Sequence, residues 1–426
     1  MLRRCVAGDR LPDLAGRTRE LQPSAIGAVL RLADAPDILA LAAGSPARET
    51  FCAEEVRMVT GRLLADDPDL LQYGDTAGLP ALRQWIAEHV GRLVARPYDT
   101  AQVVVTHGSQ QGLDLVCKAL LDPGDGVVVD QPSYIGALQV FRLFQAQVTP
   151  VPLASDSGLE QLERALTGGL RVKMIYVVPN YANPTGLTLS AAQRARLIRL
   201  AHDHGCLVVE DDPYGELCYR GAPEQPAPIA ALSDHVVRLG SFSKVLFPAA
   251  RLGYLTAPRR LAAVLNSLKE AADLGNSHFV QRIVLELVSQ PGFLDRQVRR
   301  ATELYRERRD ALAGSLRRFF GDELDFTVPD GGFFIWARWA GAATATELLT
   351  EALVERVSFV PGGACYAADP DEFCMRLSFS AIAPADLVEA AARLHRAWTR
   401  ARQDRTGSAL PLGPRHRSSA SRDSTR

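Results

Sequence analysis

The sequence predicts an α/β protein in which helices cover both faces of a mostly parallel sheet, followed by a smaller α+β domain. Between residues 100 and 240, short β-branched runs alternate with helical stretches. Continuous apolar strands separated by helices are typical of buried parallel sheets. After about residue 256 the strands become sparse, and residues 293–320 form one long charged stretch with apolar residues at helical spacing.

The composition is that of a folded protein without a dominant charge. The chain has 426 residues, of which 47% are hydrophobic and 23% charged, and its formal net charge of -1 favours neither nucleic acid nor an anionic membrane. No apolar run approaches the roughly 20 residues of a membrane-spanning helix, and the charged N-terminus does not resemble a signal peptide. Seven scattered cysteines without a C-x-x-C pair fit a reducing, cytoplasmic setting better than disulfides or a zinc site.

Lysine is rare in this chain. Only Lys118, Lys173, Lys244 and Lys269 are lysines, and the other 44 of the 48 basic residues are arginine. Codon bias in a GC-rich genome is the simplest explanation of this imbalance. Its consequence is that any chemistry that requires a side-chain amine has only four candidates.

The pattern divides the chain into four segments. Residues 1–45 are expected to form an N-terminal arm with a short amphipathic helix that Ser24 caps. Residues 46–292 form the large domain that holds the sheet, and residues 293–400 form the small C-terminal domain. Residues 401–426 contain Ser, Pro, Gly and six Arg against two Asp without periodicity, and we expect them to be disordered.

Five apolar runs are predicted to be strands of the large sheet, and a helix is predicted over 191–204 with Gly205 as its stop signal. Ligands of open α/β sheets bind at the carboxyl ends of the strands, so the residues that follow each run are the candidates for function. The five runs are 103–105, 127–129, 174–178, 207–209 and 236–239.

The residues after the first three runs suggest an anion site and a crevice. Gly108-Ser109-Gln110 leads from a strand into a helical pattern, and a helix N-terminus of this kind can bind an anion. An ordinary capped turn explains the same residues. Tyr134 and Asn183, the latter held extended by the proline that follows it, are candidates for the same crevice, although packing and turn formation also explain them.

Charged residues follow the last two runs. Glu210, Asp211 and Asp212 stand in a row at a strand end, where they repel one another, so we expect a cation nearby. A metal ion is the rival explanation. Lys244 follows the final run, beside two hydroxyl residues and ahead of Arg251. A buried lysine is costly unless it is neutral or covalently used, so Lys244 is the candidate for amine chemistry.

Six short motifs occur along the chain in one order. They are Gly108-Ser109-Gln110-Gln111, Asn183-Pro184-Thr185-Gly186, Asp211-Asp212-Pro213-Tyr214, Ser241-Phe242-Ser243-Lys244, Arg251-Leu252-Gly253 and Arg376-Leu377-Ser378-Phe379-Ser380. In this combination the chain, from about residue 25 to residue 400, resembles the fold-type I pyridoxal-phosphate aminotransferases of the aspartate-aminotransferase superfamily, especially their kynurenine/2-aminoadipate branch. The resemblance implies a mixed, mostly parallel seven-stranded sheet, a smaller α+β domain, and pyridoxal 5'-phosphate as the cofactor.

The resemblance also implies roles around the cofactor ring. Lys244 would hold the cofactor as a Schiff base and then act as general base on the substrate Cα, so that an amino group moves between an α-amino acid and a 2-oxo acid. Asp211 would keep the pyridine nitrogen protonated. Tyr214 and Asn183 would hydrogen-bond the 3'-oxygen of the ring, and Tyr134 would stack on the ring.

A phosphate site and a dimer follow from the same resemblance. The segment 71–78 matches a Tyr-Gly stretch of the family, in which the tyrosine, here Tyr73, reaches the phosphate in the other subunit. The protein is therefore expected to be a homodimer with shared active sites. The residues expected to bind the phosphate within one chain are Ser109, Gln110, Ser241, Ser243 and Arg251.

For the substrate, the resemblance assigns the α-carboxylate to Arg376, whose planar fork suits a carboxylate. Gly44 and Asn183 are the other expected substrate-binding residues. Two departures leave open whether aminoadipate or glutamate is the preferred amino acid, with Arg17, Arg19 or Arg48 as substitutes for the missing arginine. The segment 26–28 lacks the arginine that this branch often carries, and Ala43 replaces a glycine. The amino donor and the oxo-acid acceptor stay open.

Two other functions are compatible with parts of the pattern. A lyase, a decarboxylase, or a cyclase or oxidase of specialised metabolism can keep Lys244, Asp211 and Arg376, because a fold does not fix the reaction. Some bacterial transcription regulators fuse a winged helix-turn-helix to an aminotransferase-like domain, but the roughly 24 residues before the first family-like helix are too few for one. No metal, nucleic-acid partner or membrane partner is expected.

Overall fold

The computed structural model describes residues 13–18, 37–219, 225–339, 341 and 343–407. The helix predicted after Ser24 lies outside these residues, and so does the segment 408–426 at the end of the chain.

The strands and helices alternate through most of the described chain. The strands are β1 (Leu39–Ala40), β2 (Val103–Thr106), β3 (Gly126–Asp130), β4 (Gln147–Val151), β5 (Met174–Val177), β6 (Leu207–Asp211), β7 (Val236–Ser241), β8 (Gly253–Thr256), β9 (Leu324–Phe326), β10 (Phe334–Trp339), β11 (Val357–Ser358), β12 (Val360–Pro361) and β13 (Cys374–Ser378). The α-helices are α1 (Ala53–Asp66), α2 (Pro80–Leu93), α3 (Gly108–Leu120), α4 (Ile135–Leu143), α5 (Asp156–Thr167), α6 (Ala191–Asp203), α7 (Arg259–Asp273), α8 (His278–Val288), α9 (Phe293–Phe320), α10 (Ala345–Val354) and α11 (Pro384–Gly407).

A seven-stranded sheet with the order β2-β8-β7-β6-β5-β3-β4 forms the centre of the large part of the molecule. All neighbouring pairs are parallel except the two that β8 makes, so the mixed, mostly parallel sheet is confirmed. All five apolar runs form strands, and the sequence reading did not identify β4 and β8. The β4 strand is a partly exposed edge strand that contains Pro150, a residue that weakens a strand pattern.

The reversed direction of β8 brings a distant loop to the functional edge of the sheet. Gly253, at the start of β8, lies opposite both Thr106 and Ser241, the last residues of β2 and β7. The residues just before Gly253 therefore meet the carboxyl ends of the parallel strands. Arg251 turns the chain at this point in a left-handed conformation with φ of 45°.

Local capping explains where several helices begin. Ser190 and Gln193 form a reciprocal capping box at the start of α6, which ends just before Gly205 with φ of 68°. The prediction of a helix here with Gly205 as its stop is confirmed to within a residue. Thr344 and Glu347 cap α10 in the same way.

A second, four-stranded sheet with the order β12-β13-β10-β9 follows the large part of the chain. The 28-residue helix α9 has the predicted bounds and packs along α11. The short strand β1 pairs with β11, which attaches the segment around residue 39 to this smaller unit. The helix α11 continues past residue 400, where disorder was expected to begin, to Gly407.

The buried side chains form one large apolar cluster that extends through both sheets and their helices. The five predicted strands are buried along almost their whole length, as expected for a sheet covered on both faces. None of the helices in the described ranges is both long and apolar enough to cross a lipid bilayer.

Candidate active site

A pocket opens at the carboxyl edge of the seven-stranded sheet and is closed on its other side by the four-stranded sheet. It brings together every predicted cofactor-binding, catalytic and substrate-binding residue except Tyr73. The lining residues that were predicted are Gly44, Ser109, Gln110, Tyr134, Asn183, Asp211, Tyr214, Ser241, Ser243, Lys244, Arg251 and Arg376.

Lys244 lies three residues after the end of β7, and its amine reaches into this pocket. Its Nζ lies 3.4 Å from the carbonyl oxygen of Gly44 and 5.7 Å from the centre of the Phe333 ring. Burial lowers the pKa of Lys244 to about 8, and the positive charges of Arg251 and Arg376 act in the same direction. A substantial fraction of this amine is therefore neutral near pH 8, the form needed for a nucleophile or a base.

Asp211 is the last residue of β6 and is 4% exposed. Its Oδ2 accepts a hydrogen bond of 2.8 Å from the Tyr176 hydroxyl, whereas its Oδ1 is buried with no hydrogen-bond partner among the described residues. Burial raises the pKa of Asp211 to about 6. An unpartnered buried carboxylate oxygen is costly, so this pocket is suited to a ligand with an N–H donor or a positive charge at this point.

The other two acids of the row face away from the pocket to a cation, as predicted. Arg238, in the middle of β7, lies 2.9 Å from Glu210 and 2.8 Å from Asp212. Glu210 also accepts backbone hydrogen bonds of 3.0 Å from Ile229 and Ala230. These contacts account for Glu210 and Asp212 as structural carboxylates and leave Asp211 as the acid of the pocket.

Arg376 lies on β13, opposite Trp336 of β10, and is 8% exposed. Its two terminal nitrogens donate to Asn183 Oδ1 at 2.9 Å and to the carbonyl of Ala42 at 2.8 Å. The guanidinium carbon lies 4.4 Å from the centre of the Phe334 ring. Stacking and two hydrogen bonds fix the plane of the fork, which is the geometry that a planar carboxylate requires.

The first turn of α3 and the loop that contains Arg251 form an anion-binding corner. Gly108, with φ of 73°, starts the helix, and a Cβ at this position would lie 3.3 Å from the Arg251 guanidinium. Arg251 donates to the carbonyl of His107 at 3.3 Å. Ser109 and Ser243 line the same corner. A helix N-terminus, hydroxyls and an arginine together suit a phosphate group.

The aromatic and amide residues of the pocket lie between the Arg376 fork and the anion-binding corner. Tyr214 is 4% exposed and packs edge-on against Phe333, with ring centres 5.5 Å apart. Burial raises its pKa above the ordinary value, and a hydrogen bond with Asn183 opposes that rise. Tyr134 precedes α4 and lines the pocket. Asn183 thus contacts both the arginine fork and the Tyr214 hydroxyl.

Tyr73 does not reach the pocket of its own chain and is 87% exposed. Sequence reasoning also left three functional neighbours without a role. Tyr176 supports Asp211 from within a strand, Arg238 neutralises the other two acids, and Phe334 stacks beneath the arginine fork. Tyr176 and Arg238 lie inside apolar runs, where their pattern is that of strand residues.

The pocket has the chemical features that bind pyridoxal phosphate. A phosphate corner lies at one side, an amine that can form a covalent link lies next to it, and the unpartnered Asp211 oxygen offers an acceptor for a protonated ring nitrogen. The residues present therefore fit this cofactor, and an arginine fork remains for the carboxylate of a substrate.

Comparison with known proteins gives the same answer. Residues 36–394 match the family described as aminotransferase class I and II. The chain is 37% identical to the 2-aminoadipate transaminase of Thermus thermophilus over 90% of this chain and 95% of that protein. It is 34% identical to aromatic-amino-acid aminotransferase 1 of Thermococcus litoralis over 88% of this chain and 91% of that protein.

A solved structure supports the cofactor. The crystal structure of LysN, the alpha-aminoadipate aminotransferase of Thermus thermophilus complexed with N-(5'-phosphopyridoxyl)-L-leucine, matches with a TM-score of 0.84 and 34% identity, over 91% of this chain and 97% of that chain. The sequence match, the shared fold and the pocket together show that the chain belongs to the class I and II aminotransferases, pyridoxal-phosphate enzymes that move an amino group between an amino acid and a 2-oxo acid.

Proposed function

We propose that this aminotransferase works through three residues of the pocket, with Lys244 as covalent attachment point and proton carrier, Asp211 as partner of the ring nitrogen, and Arg376 as the carboxylate receptor. The observation that carries this proposal is the buried, unpartnered Oδ1 of Asp211 in the pocket that also holds the Lys244 amine. Pyridoxal phosphate, when bound, supplies an aldehyde for amine exchange and an electron-accepting ring.

Lys244 is suited to move the proton at the substrate Cα. Its pKa of about 8 is closer to neutral pH than that of an ordinary lysine. The free-energy cost of accepting a proton and of releasing it is therefore small. Asp211, with its charge held in a desolvated place, stabilises positive charge at the ring nitrogen more strongly than it would in water. Lys244 thus acts on the proton at the substrate Cα, and Asp211 acts on the charge at the ring nitrogen.

Arg376 binds the group that both substrates share. Amino acids and 2-oxo acids carry the same carboxylate next to the reacting carbon, so a single fixed fork serves both half-reactions. Gly44 lacks a Cβ, which would lie only 2.8 Å from the Phe334 ring. The absence of a side chain at residue 44 therefore leaves space beside the Arg376 fork. Asn183 joins the fork to Tyr214, so that substrate binding is coupled to the residues around the ring.

Tyr214, Asn183 and Tyr134 are assigned to the cofactor ring, the first two as partners of its 3'-oxygen and the third as a stacking residue. The cofactor phosphate is assigned to the anion-binding corner at the start of α3. This assignment is supported by the helix N-terminus and by the arginine beside Gly108. The residues of this corner are Ser109, Gln110, Ser241, Ser243 and Arg251.

We further propose a homodimer in which Tyr73 completes the phosphate site of the partner. Three large apolar or aromatic side chains near this segment are exposed in the single chain: Leu71 by 75%, Tyr73 by 87% and Leu274 by 63%. Exposed apolar side chains that lie together are typical of an interface. A Tyr73 hydroxyl that is far from its own pocket is available to a second copy.

We place the enzyme in amino acid metabolism in the cytoplasm. The six cysteines within the described residues are all free, and five of them are buried, which suits a reducing compartment. The similar proteins are named for aminoadipate and for aromatic amino acids. We therefore propose a substrate from the α-amino acids and leave the side chain to a panel of donors.

The test is a pair of half-reactions followed by absorbance. An amino acid added to the loaded enzyme should convert the aldehyde form of the cofactor to its amine form, and a 2-oxo acid should restore the first spectrum with release of the new amino acid. A panel of donors with mass spectrometry identifies the substrates. Loss of carbon dioxide or of a side chain, with no recovery by any oxo acid, would instead identify a decarboxylase or lyase.

A further inference from the structure

A second buried lysine lies outside the pocket and has no part in the proposed reaction. Lys269 on α7 is 0% exposed, and its Nζ lies 2.9 Å from both carboxylate oxygens of Asp273, one helical turn later. The same amine donates to Gln111 Oε1 at 3.3 Å. A fully buried ammonium is unfavourable unless it is paired and hydrogen-bonded. Lys269 therefore depends on these two neighbours.

The paired carboxylate is connected to the turn between β2 and α3. Gln111 donates from its Nε2 to Asp273, and its Oε1 accepts the backbone N–H of His107 at 2.8 Å. His107 Nε2 lies 3.4 Å from Asp273 Oδ2. The carbonyl of the same His107 accepts from Arg251. The backbone of the turn is thus connected through Gln111 to an ion pair whose lysine is buried.

The same ion pair also contacts the chain just after α7, which lies against the segment that follows Tyr73. Asp273 Oδ1 accepts the backbone N–H of Gly275 at 2.9 Å, which orders the chain after α7. There, a Cβ on Gly275 would lie 3.2 Å from the backbone of Thr76, and the Thr76 hydroxyl lies 3.4 Å from the carbonyl of Leu274. One carboxylate therefore joins the turn of its own phosphate corner to the segment proposed to reach the partner.

The chain contains a second Asp–Lys pair that lacks these connections. Lys118 on α3 lies 2.6 Å from Asp114, also one turn apart, but their side chains are 38% and 27% exposed. Exposed pairs at this spacing contribute little to stability. This pair has the same residue types and spacing and serves as a matched control.

We propose that Lys269, Asp273 and Gln111 are positioning residues that hold the turn 107–110 in the shape that receives the cofactor phosphate. The inference rests on the proposed phosphate corner and adds residues that do not line the pocket. Lys269 keeps Asp273 charged and in place, Asp273 holds Gln111, and Gln111 fixes the backbone N–H of His107, which precedes Gly108. A turn with a fixed backbone binds its anion without paying for ordering.

The test compares two ligands that differ only in the phosphate. Dissociation constants of the full-length apoprotein are measured for pyridoxal phosphate and for pyridoxal, in the parent, Asp273→Asn, Gln111→Leu and the control Lys118→Met. We expect both network variants to bind pyridoxal phosphate at least about tenfold more weakly and to bind pyridoxal within about twofold of the parent. Lys118→Met should match the parent for both ligands.

The ratio of the dissociation constants for pyridoxal phosphate and pyridoxal distinguishes a loss of phosphate positioning from a general loss of stability. If both ligands weaken together, or if the variants keep the parent ratio, the network does not position the phosphate turn and the inference is wrong. If the parent itself does not distinguish the two ligands, the proposed phosphate corner is wrong instead. Asp273→Asn leaves Lys269 without its charged partner, so folding is checked by circular dichroism. Gln111→Leu leaves the ion pair intact and decides the question if Asp273→Asn does not fold.

Discussion

Asp211 and Asp212 are neighbours in sequence and lie in opposite electrostatic environments. Asp212 accepts from Arg238 at 2.8 Å and from Asn180 at 2.9 Å. The Asp211 carboxylate accepts from the Tyr176 hydroxyl at 2.8 Å and has no arginine partner of this kind. Successive side chains at a strand end point in opposite directions, so one acid meets the buried arginine and the other meets the pocket.

The first prediction concerns this pair of acids. Asp211→Asn should lower kcat by two or more orders of magnitude, because the charge that stabilises a protonated ring nitrogen is lost. Asp212→Asn should leave kcat within about tenfold of the parent and lower the melting temperature, because Arg238 loses a charged partner in the core. Steady-state kinetics and thermal unfolding measure both. The reverse ranking of the two kcat values would assign the ring nitrogen to Asp212.

The second prediction is a pH dependence of apoprotein stability. Burial raises the pKa of Asp211 to about 6, above its value of about 3.9 in an unfolded chain. Protonated Asp211 therefore contributes fully to the free energy of unfolding when the pH is below its pKa in the unfolded chain. This contribution is lost as the pH rises through about 6. Relative to Asp211→Asn, the parent should lose on the order of 2–3 kcal/mol between pH 4 and pH 7.

Urea unfolding of both apoproteins at several pH values measures this difference. Asp130 is also buried with a pKa raised to about 6, but it is present in both proteins and its effect cancels. A gap between the two proteins that stays constant with pH would mean that Asp211 already has a partner in the apoprotein.

The third prediction locates the covalent link. Borohydride reduction of the loaded enzyme followed by peptide mapping should place the pyridoxyl group on Lys244 and on none of the other three lysines. Lys118 and Lys173 are engaged in surface ion pairs, and Lys269 is buried away from the pocket. The rate of capture of pyridoxal phosphate should rise with pH and level off above about 8, because the neutral amine is the nucleophile. A rate that continues to rise towards pH 10 would indicate a lysine with an ordinary pKa.

The fourth prediction concerns the carboxylate fork. Arg376→Ala should raise KM for amino acids and oxo acids alike and leave the spectrum of the loaded enzyme unchanged. Arg376→Lys keeps the charge but loses the two-pronged geometry, so kcat/KM should still fall by at least about tenfold. Arg338→Lys on the same sheet, where the side chain is 54% exposed, is the control. Efficiency of Arg376→Ala within about twofold of the parent would mean that another residue binds the carboxylate.

The fifth prediction tests the shared site. Lys244→Ala and Tyr73→Ala chains are unfolded together and refolded as a mixture. If Tyr73 acts on the partner, each mixed dimer has one site with an intact lysine and an intact tyrosine, so cofactor affinity typical of the parent returns in that site. If Tyr73 acts within its own chain, no intact site forms. Val354→Ala, at a side chain of α10 that is 62% exposed and outside the proposed interface, is the control.

The parts of the fold that the sequence predicted are those with strong local periodicity. The helix over 293–320 repeats its pattern along 28 residues, and four of the five apolar runs contain no charged residue, the fifth being interrupted only by Arg238. The β8 strand has four residues and follows a loop, so its identity depends on the two strands that flank it. The extension of α11 to Gly407 was missed because the sequence over 401–407 has no helical apolar periodicity.

Candidate site residues were visible where a motif follows a strand, and hidden where their role depends on a distant partner. Asp211 was distinguished from Asp212 only through the resemblance, and the physical cause is the arginine at position 238, on the next strand of the sheet. Tyr176 supports Asp211 across two neighbouring strands. Contacts of this kind have no local sequence signal, because they follow from sheet order.

The reversal at β8 has a mechanical consequence. Lys244 and Arg251 are seven residues apart and both lie on the connection between β7 and β8, so the covalent and ionic anchors proposed for the cofactor move together. Arg376 belongs to the other sheet. A small rotation between the two sheets would change the reach of the fork to the substrate while the cofactor stays in place. The affinity for the substrate carboxylate can therefore change, in evolution or within one catalytic cycle, without weaker binding of the cofactor.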